Sequence, residues 1–259
     1  MRRVLITGSS DGLGLMAGQL LVDQGHGVTF HARSSARAAE LGAAVPGARD
    51  IVVGDLSTVA GMWRVAEQAN ALGRYDSVIH NAAVGYRTPR RVETEDGLAE
   101  LFAVNVLAPY ALTALVAPPE RLVYLGSAMH RGGNPRLDDL NWTARRWNGS
   151  QAYADSKFLD VLLAFAVARR WPGVRSNAVE PGWVATKMGG PGAPDDLSLG
   201  PVTQAWLAAS DAPAAATTAG YFYHQRPKEP HPATRDLGLQ EELLARCAQL
   251  AGVDLPPAR

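Results

Sequence analysis

A tyrosine and a lysine four residues apart form the clearest chemical signal in the sequence. Tyr153 and Lys157 fall at the start of a predicted helix, so their spacing places the phenol and the ammonium on one face. A phenol has a pKa of about 10 in water, and a neighbouring cation stabilises its phenolate. The pair can therefore act as a general acid or base closer to neutral pH.

Two polar residues in apolar surroundings could complete a site around this pair. Ser127 ends a predicted strand at the edge where open α/β sheets bind ligands. Asn105 lies inside the apolar segment LFAVNVLAPY, where an amide must be hydrogen-bonded to be tolerated. Taken alone, each is equally compatible with an ordinary turn serine or a helix-kinking asparagine.

A glycine cluster follows the first predicted strand, in the segment TGSSDGLG that leads into an amphipathic helix. Glycine lets the backbone approach a pyrophosphate, whose charge is met by free N–H groups and by the helix dipole. A tight turn without a ligand is the alternative interpretation. The position after the first strand favours phosphate binding, and the predicted contacts are Gly8, Ser10, Asp11, Gly12, Leu13 and Gly14.

The second predicted strand ends in Ala32, Arg33 and Ser34, where a dinucleotide fold contacts the ribose of its cofactor. No acid stands there for a ribose 2′-hydroxyl, and Arg33 can bind a 2′-phosphate through its forked guanidinium. NADP(H) is therefore favoured over NAD(H). Arg37 is a candidate second contact, although it could equally belong to a solvated helix face.

Short apolar runs alternate with amphipathic stretches, which predicts a doubly wound α/β fold with one parallel sheet flanked by helices. The chain from 1 to 259 is expected to form a single domain, because no linker or repeat divides it. Seven strands are predicted at 3–7, 28–32, 50–53, 77–80, 121–126, 175–179 and 220–223. Helices are predicted for the stripe that runs from Leu13 to Leu21, and at 58–72, 97–115, 151–170, 202–210 and 240–250.

Three segments interrupt this pattern. Residues 130–150 and 189–199 are rich in glycine, proline or tryptophan, and they are predicted to be loops with a function. We expect the first to be an insertion and the second to be a substrate flap. Residues 225–232 contain three prolines and are expected to form a stiff surface connection.

Composition limits the classes of partner. Twenty-five basic and twenty-five acidic residues cancel among 259, so the field expected of a nucleic-acid or anionic-membrane binder is absent, and a small-molecule partner is expected. The single cysteine excludes an internal disulfide and favours a reducing compartment, which predicts a cytoplasmic location. The first residues lack a signal-peptide core, and no run is long enough for a membrane span. The six histidines lack metal-ligand spacing, so no metal site is predicted.

Over essentially its whole length the chain resembles the short-chain dehydrogenase/reductase family. Residues 7–14 match the family's T-G-x-x-x-G-x-G cofactor turn, and the PGWVAT segment from Pro181 to Thr186 matches its P-G-x-[VI]-x-T nicotinamide segment. The resemblance implies a catalytic tetrad of Asn105, Ser127, Tyr153 and Lys157. It also implies cofactor contacts at Asp55, Leu56, Asn81, Ala82, Ala83, Tyr153, Lys157, Pro181, Gly182, Val184 and Thr186.

The interval between the tetrad serine and tyrosine departs from the family pattern. Ser127 and Tyr153 are 153 − 127 = 26 residues apart, about twice the usual separation. The inserted segment contains DDLNW, which resembles the branch of retinol dehydrogenases and protochlorophyllide reductases. Ala83 replaces the commoner glycine.

The resemblance implies a reaction in which Tyr153 exchanges a proton with a carbonyl or alcohol oxygen while a hydride passes to or from nicotinamide. Lys157 would hold the nicotinamide ribose, Ser127 would stabilise the developing oxyanion, and Asn105 would anchor a water that connects Lys157 to solvent. Two alternatives stay open at this point. One is a catalytically silent NADP(H)-binding redox sensor, and the other is an enzyme of the same family that reduces an imine or an activated double bond.

Large apolar side chains near the tetrad bear on the substrate. Trp142, Trp147, Trp183 and Met188 lie in or beside the two loops and favour an apolar or aromatic carbonyl substrate, unless they only pack those loops down. A homo-oligomer is also conceivable. Many relatives pair through the helices that correspond to 97–115 and 151–170, but the insertion could cover that surface.

Overall fold

A single sheet of eight strands organises the computed structural model, which describes residues 1–45, 48 and 50–257. The strand order is β3-β2-β1-β4-β5-β6-β7-β8, and every pair except β7 with β8 is parallel. The strands are β1 (Arg3–Ile6), β2 (Gly27–Ala32), β3 (Asp50–Val53), β4 (Ser77–His80), β5 (Arg121–Leu125), β6 (Arg175–Val179), β7 (Tyr221–Tyr223) and β8 (Arg226–Pro227). The predicted doubly wound α/β fold is confirmed.

Helices cover both faces of the sheet. They are α1 (Gly12–Asp23), α2 (Ser35–Ala44), α3 (Val59–Ala71), α4 (Glu100–Phe102), a π-helical segment (Ala103–Leu107), α5 (Ala108–Leu115), α6 (Gly149–Arg170), α7 (Val202–Ala209) and α8 (Leu237–Ala251). Short 3₁₀ helices lie at Ala128–Gly132, Leu197–Leu199, Pro213–Ala215 and Pro232–Arg235. None of the described helices is long and apolar enough to cross a membrane.

The sheet lies between two cores, because successive side chains of a strand point to opposite faces. In β1, Leu5 packs with α3, α5, α6 and α8, whereas Val4 and Ile6 pack with α1, α2 and α7. Helices cover both faces of the central strands, so nearly every residue of β1, β2, β4, β5 and β6 is buried.

The sheet has one strand more than the seven predicted, and that strand is antiparallel. After β7 the chain reverses through His224 and Gln225, which both have positive φ, at 47° and 61°. Positive φ at two successive residues is typical of the tight turns that join antiparallel strands. Proline concealed this strand from sequence reasoning, but Pro227 is tolerated because β8 lies at the edge of the sheet.

Two helical features also differ from prediction. The helix α2 was not predicted because its only buried residue is Leu41, which leaves no apolar stripe to recognise. The helix predicted at 97–115 is interrupted by the π-helical segment. Pro109 contributes to this interruption, because it has no N–H to donate to the carbonyl four residues earlier, that of Asn105.

The C-terminal part of the chain covers α5 and α6. Tyr110 donates to the Val253 carbonyl at 3.0 Å, and Trp171 donates to the Pro256 carbonyl at 2.8 Å. Arg169 and Arg170 both pair with Glu241 of α8. The helices through which relatives are expected to pair are therefore packed against this chain's own C-terminal segment.

Candidate functional site

An open cleft of about 580 Å³ lies at the carboxyl ends of the strands, where β1 and β4 lead to opposite halves of the sheet. It runs from the glycine turn after β1 to Tyr153 on α6. Of the residues predicted for the site, those that line it are Gly8, Ser10, Asp11, Gly12, Leu13, Arg33, Asp55, Leu56, Asn81, Ala82, Ala83, Tyr153, Lys157, Pro181 and Thr186.

The other predicted residues lie outside the cleft wall. Gly14 packs against the turn, where a Cβ would lie 2.3 Å from the Asn81 side chain. Gly182 has φ +90° and Val184 forms a bridge with Asp195, so both shape the segment that carries Pro181 and Thr186. Ser127 and Asn105 are not among the residues that line the cleft, and their contacts are described below.

The glycine turn is held rigidly by its neighbours. Gly8 has φ +59°, and a Cβ there would come within 2.6 Å of the Ala82 backbone. The Asn81 side-chain amide donates to the carbonyls of Thr7 and Gly8, both at 3.0 Å. In contrast, nothing lies within 4 Å of a Cβ built on Gly12, which faces open space.

The N-terminus of α1 presents free N–H groups to this cleft. Within the described residues, no side chain caps it, whereas α2, α3 and α6 are capped by Ser34, Thr58 and Asn148. Uncapped N–H groups and the helix dipole fit an anionic ligand. The residues present therefore fit the pyrophosphate of a dinucleotide.

A cluster of cations surrounds the end of the cleft next to β2. Arg33 lines the cleft and is exposed. Arg37 lies 2.9 Å from the carboxylate of Asp11, and Lys187 reaches the same carboxylate from across the cleft at 2.8 Å. Because two cations balance Asp11, its charge does not prevent a phosphate from binding nearby.

His31 is a residue of the cleft that was not predicted. Its Nδ1 accepts from the Gly8 N–H and its Nε2 contacts the Gly54 carbonyl, both at 2.9 Å. An Nδ1 acceptor requires the neutral ring with its proton on Nε2. Burial lowers the pKa of His31, which preserves this form. The sequence signal that points to His31 is the position of a histidine one residue before the end of β2.

Tyr153 and Lys157 lie together on α6, as their spacing predicts. The Lys157 ammonium is 6.0 Å from the centre of the Tyr153 ring, donates to the Leu125 carbonyl, and lies 3.4 Å from Asp160 Oδ2. The Tyr153 hydroxyl faces Met188, the residue before the predicted flap, and contacts its Sδ at 3.8 Å. The phenol thus has no strong hydrogen bond within the described part of the chain, and its proton is available to a ligand.

Ser127 and Asn105 are both held in place by backbone groups. Ser127 caps the 3₁₀ helix after β5, where its Oγ accepts from the Met129 N–H at 3.2 Å, which leaves the hydroxyl proton free. Asn105 is buried in the π-helical segment. Its side chain accepts from the Val84 N–H at 2.7 Å and donates to Ser156 Oγ at 3.0 Å.

An apolar cluster flanks Tyr153 on the side of the two loops. The Tyr86 ring lies 5.7 Å from the Tyr153 ring, and Trp147, Met129 and Met188 pack against the same cluster. Trp142 is buried edge-on to Trp147 and therefore packs the insertion down. Trp183 is 53% exposed and its indole donates to the Gly189 carbonyl, so it lies outside this cluster.

Arg145 fastens the inserted segment to α6. Its guanidinium lies 3.6 Å from the centre of the Trp142 ring and 2.9 Å from the Asp155 carboxylate. The segment consequently lies beside Tyr153, where it forms one wall of the apolar cluster.

Comparison with known proteins agrees with this architecture. The model of the short chain dehydrogenase family matches residues 2–127. The chain is 41% identical to the short-chain dehydrogenase chyC of Penicillium rubens, over 99% of this chain and 100% of that protein. It is 28% identical to human retinol dehydrogenase 13, over 100% of this chain and 87% of that protein.

Solved structures share the fold. An uncharacterised protein from Mycobacterium paratuberculosis superimposes with a TM-score of 0.85 at 25% identity, over 99% of this chain and 95% of that one. A blue fluorescent protein from a metagenomic library, solved in complex with NADPH, superimposes with a TM-score of 0.67 at 23% identity, over 85% and 95%. Identity over the full length of a curated relative, together with this fold, establishes that the chain belongs to the short-chain dehydrogenase/reductase family.

Proposed function

We propose that this protein is an NADP(H)-dependent oxidoreductase that interconverts a carbonyl compound and a secondary alcohol. The observation that carries the proposal is the cleft itself, which joins an uncapped helix N-terminus at one end to the buried Tyr153–Lys157 pair at the other. A bound dinucleotide would supply or accept the hydride. The residues of this chain provide the proton and hold the reacting oxygen.

The protein's part in the reaction falls to three side chains. The Tyr153 hydroxyl gives its proton to the carbonyl oxygen during reduction and takes it back during oxidation. The free proton of Ser127 donates a hydrogen bond to the same oxygen as negative charge develops there. Lys157 holds a positive charge 6.0 Å from the Tyr153 ring and stabilises the phenolate left after proton transfer.

Asn105 supports the route by which the proton is replaced. Its side-chain oxygen accepts one hydrogen bond, from Val84, and therefore retains a second lone pair. Its main-chain carbonyl loses the usual helical donor because Pro109 has no N–H. Either oxygen can hold a water that connects the buried Lys157 to solvent.

The preference for NADP(H) rests on Arg33, which is exposed at the rim of the cleft and free to turn toward a 2′-phosphate. Arg37 adds a second cation at the same rim. The NADPH complex of the metagenomic protein supports this choice of cofactor for the fold.

The substrate is proposed to be an apolar or aromatic carbonyl compound. Tyr86, Trp147, Met129 and Met188 surround the approach to Tyr153, and such side chains bind flat apolar rings.

Replacing Tyr153 with Phe tests the reaction. The purified protein is assayed for NADPH consumption against ketones, aldehydes and quinones that range from small aliphatic to bulky aromatic. Wild-type protein is expected to turn over the aromatic members best, and Tyr153→Phe to lose about 100-fold or more in kcat while it still binds NADPH. Tyr223→Phe, a tyrosine outside the cleft, serves as the control. Turnover that survives in Tyr153→Phe would contradict the proposed role.

Replacing Arg33 with Ala tests the cofactor preference. Loss of a charged hydrogen bond to the 2′-phosphate is expected to weaken NADPH binding about 10-fold or more and to leave NADH binding unchanged, as measured by titration calorimetry. The control is Arg64→Ala, an exposed arginine of α3 outside the cleft. Equal weakening for both dinucleotides would show that Arg33 does not recognise the 2′-phosphate.

Replacing His31 with Phe tests the support of the glycine turn. The change leaves the Gly8 N–H and Gly54 carbonyl unpaired, so the free energy of unfolding should fall by about 1–3 kcal/mol at about pH 8, and NADPH affinity should fall with it. The folded-state pKa of His31 is lowered. The contribution of His31 to the free energy of unfolding is therefore complete above the ordinary histidine pKa, and it is lost as the pH falls through the lowered, folded-state pKa.

Denaturant unfolding from about pH 8 to acid pH measures the effect. The difference in free energy of unfolding between wild type and His31→Phe should become smaller as the pH falls. His26→Phe is the control, since the pKa of His26 is also lowered by burial but its ring binds the Arg2 N–H, away from the cleft. If the difference in free energy of unfolding between wild type and His31→Phe stayed constant with pH, the contact between the neutral His31 ring and the Gly8 N–H would be ruled out.

The coverage of α5 and α6 by the C-terminal segment favours a monomer. Pairing through these helices would require α8 and the residues after it to leave their places. Light scattering is therefore expected to give the mass of one chain, 27.5 kDa. A dimer that involves α5 and α6 would contradict this expectation.

A further inference from the structure

A buried carboxylate lies next to the lysine of the Tyr153–Lys157 pair. Asp160 follows Lys157 by three residues on α6, so both side chains project from the same face. Asp160 Oδ2 is 3.4 Å from the Lys157 ammonium, and the two side chains are only 2% and 3% exposed. The remaining partner of Lys157 is a backbone carbonyl, that of Leu125.

Asp160 differs from the other buried acids of the protein in how few donors it has. Asp155 accepts from the Asn134 N–H and from Gln151, and its Oδ2 forms an ion pair with Arg145 in place of a hydrogen bond. Glu180 accepts from Tyr221 and Lys228. Asp160 has Lys157 alone, and its Oδ1 is buried without a hydrogen-bond partner in the parts of the chain that the structure describes. A structural carboxylate would be expected to have a hydrogen-bond donor or a cation at each oxygen.

Two further ionisable groups, Tyr124 and His80, lie on the sheet side of this pair and carry no charge. Tyr124 of β5 lies on the sheet side of Asp160, and His80 of β4 packs against Tyr124 with ring centres 4.7 Å apart. Burial raises the pKa of Tyr124 far above its usual value and lowers the pKa of His80 to about 3. Neither Tyr124 nor His80 therefore adds a charge to the Lys157–Asp160 pair.

That charge changes in the physiological range. Burial raises the pKa of the Asp160 carboxyl to about 7, against the opposing pull of Lys157. Below this value the pair carries one positive charge, and above it the pair is neutral. The pair as a unit holds or releases one proton, whichever of its two members carries it.

We propose that Asp160 is a positioning residue that sets how much positive charge Lys157 presents to Tyr153, and thereby the pH at which Tyr153 changes between proton donor and proton acceptor. Ionised Asp160 cancels the charge of Lys157 and disfavours the phenolate, whereas neutral Asp160 leaves that charge uncompensated and favours it. The proposal rests on the proposed function, because it assigns Asp160 a role only through the acid/base chemistry of Tyr153.

The first test measures phenolate formation without cofactor or substrate. Phenolate absorbance is titrated from about pH 6 to about pH 11 in wild type, Asp160→Asn and Asp155→Asn, and in each case the same protein with Tyr153→Phe is subtracted. Asp160→Asn should move the Tyr153 inflection about one pH unit toward acid. Asp155→Asn removes a carboxylate from the same helix that does not contact Lys157, and it should leave the inflection in place.

An unchanged inflection in Asp160→Asn would overturn the proposal. A shift toward alkaline pH would overturn it as well, since it would mean that Asp160 acts by keeping Lys157 charged.

The second test uses turnover to separate the two proposals. For the best alcohol of the panel, the pH profile of kcat for oxidation should move toward acid in Asp160→Asn by the same amount as the phenolate inflection. Turnover that depends on Tyr153 but has an unmoved profile would overturn the role of Asp160 alone. An inflection that moves in a protein without Tyr153-dependent turnover would support the electrostatic pair and overturn the proposed function.

Unfolding measurements verify that Asp160→Asn is folded. They also test independently the direction in which the Asp160 carboxyl makes stability change with pH. Because the folded-state pKa of Asp160 is raised, the native protein binds the proton more tightly than the unfolded chain, and wild-type stability falls as pH rises through about 7. Asp160→Asn lacks this loss, so its free energy of unfolding relative to wild type should increase with pH. A difference that is constant across this range would contradict the buried, titrating carboxyl.

Discussion

The attachment of the turn after β1 to both neighbouring strands is the constraint on which the site depends. Thr7 and Asn81 bind the turn to the end of β4, and His31 binds it to β2 and to Gly54 after β3. These contacts leave the N-terminus of α1 uncapped and facing open space. Since the turn cannot relax to satisfy its own N–H groups, it offers them to an anion.

The end of the cleft at Tyr153 depends on burial in a different way. Strand β5 brings the Leu125 carbonyl to Lys157, and α6 carries Tyr153, Lys157 and Asp160 on one face. In a region shielded from water, each charge acts strongly on its neighbours. In the proposed mechanism, the dry environment strengthens the action of Lys157 on Tyr153 and also makes Lys157 sensitive to the single carboxyl group of Asp160. The insertion adds a further wall, because Arg145 ties it to Asp155 on the same helix.

Much of the architecture was predictable because long apolar patterns are compatible with few arrangements of helices and strands. The seven strands predicted from the sequence are all present, and the helix from Gly149 to Arg170 starts only two residues before its predicted position. The helix α2 and strand β8 escaped prediction for opposite reasons. One buries too little apolar surface to give a pattern, and the other contains a proline that only an edge position tolerates. In the site, His31 and Asp160 were not predicted. His31 acts through partners distant in sequence, and Asp160 is distinguished by its burial.

The sequence by itself determined which groups could do chemistry and which turn could hold a phosphate. Side-chain type and helical spacing are local properties, so Tyr153, Lys157 and the glycine turn could be identified from residues a few positions apart. Only the tertiary structure decided the protonation of these groups and their surroundings. Contacts between remote parts of the chain produce the neutral ring of His31, the burial of Asp160 and the coverage of α5 by the C-terminal segment. Such contacts set solvation, and solvation controls whether a buried group is charged.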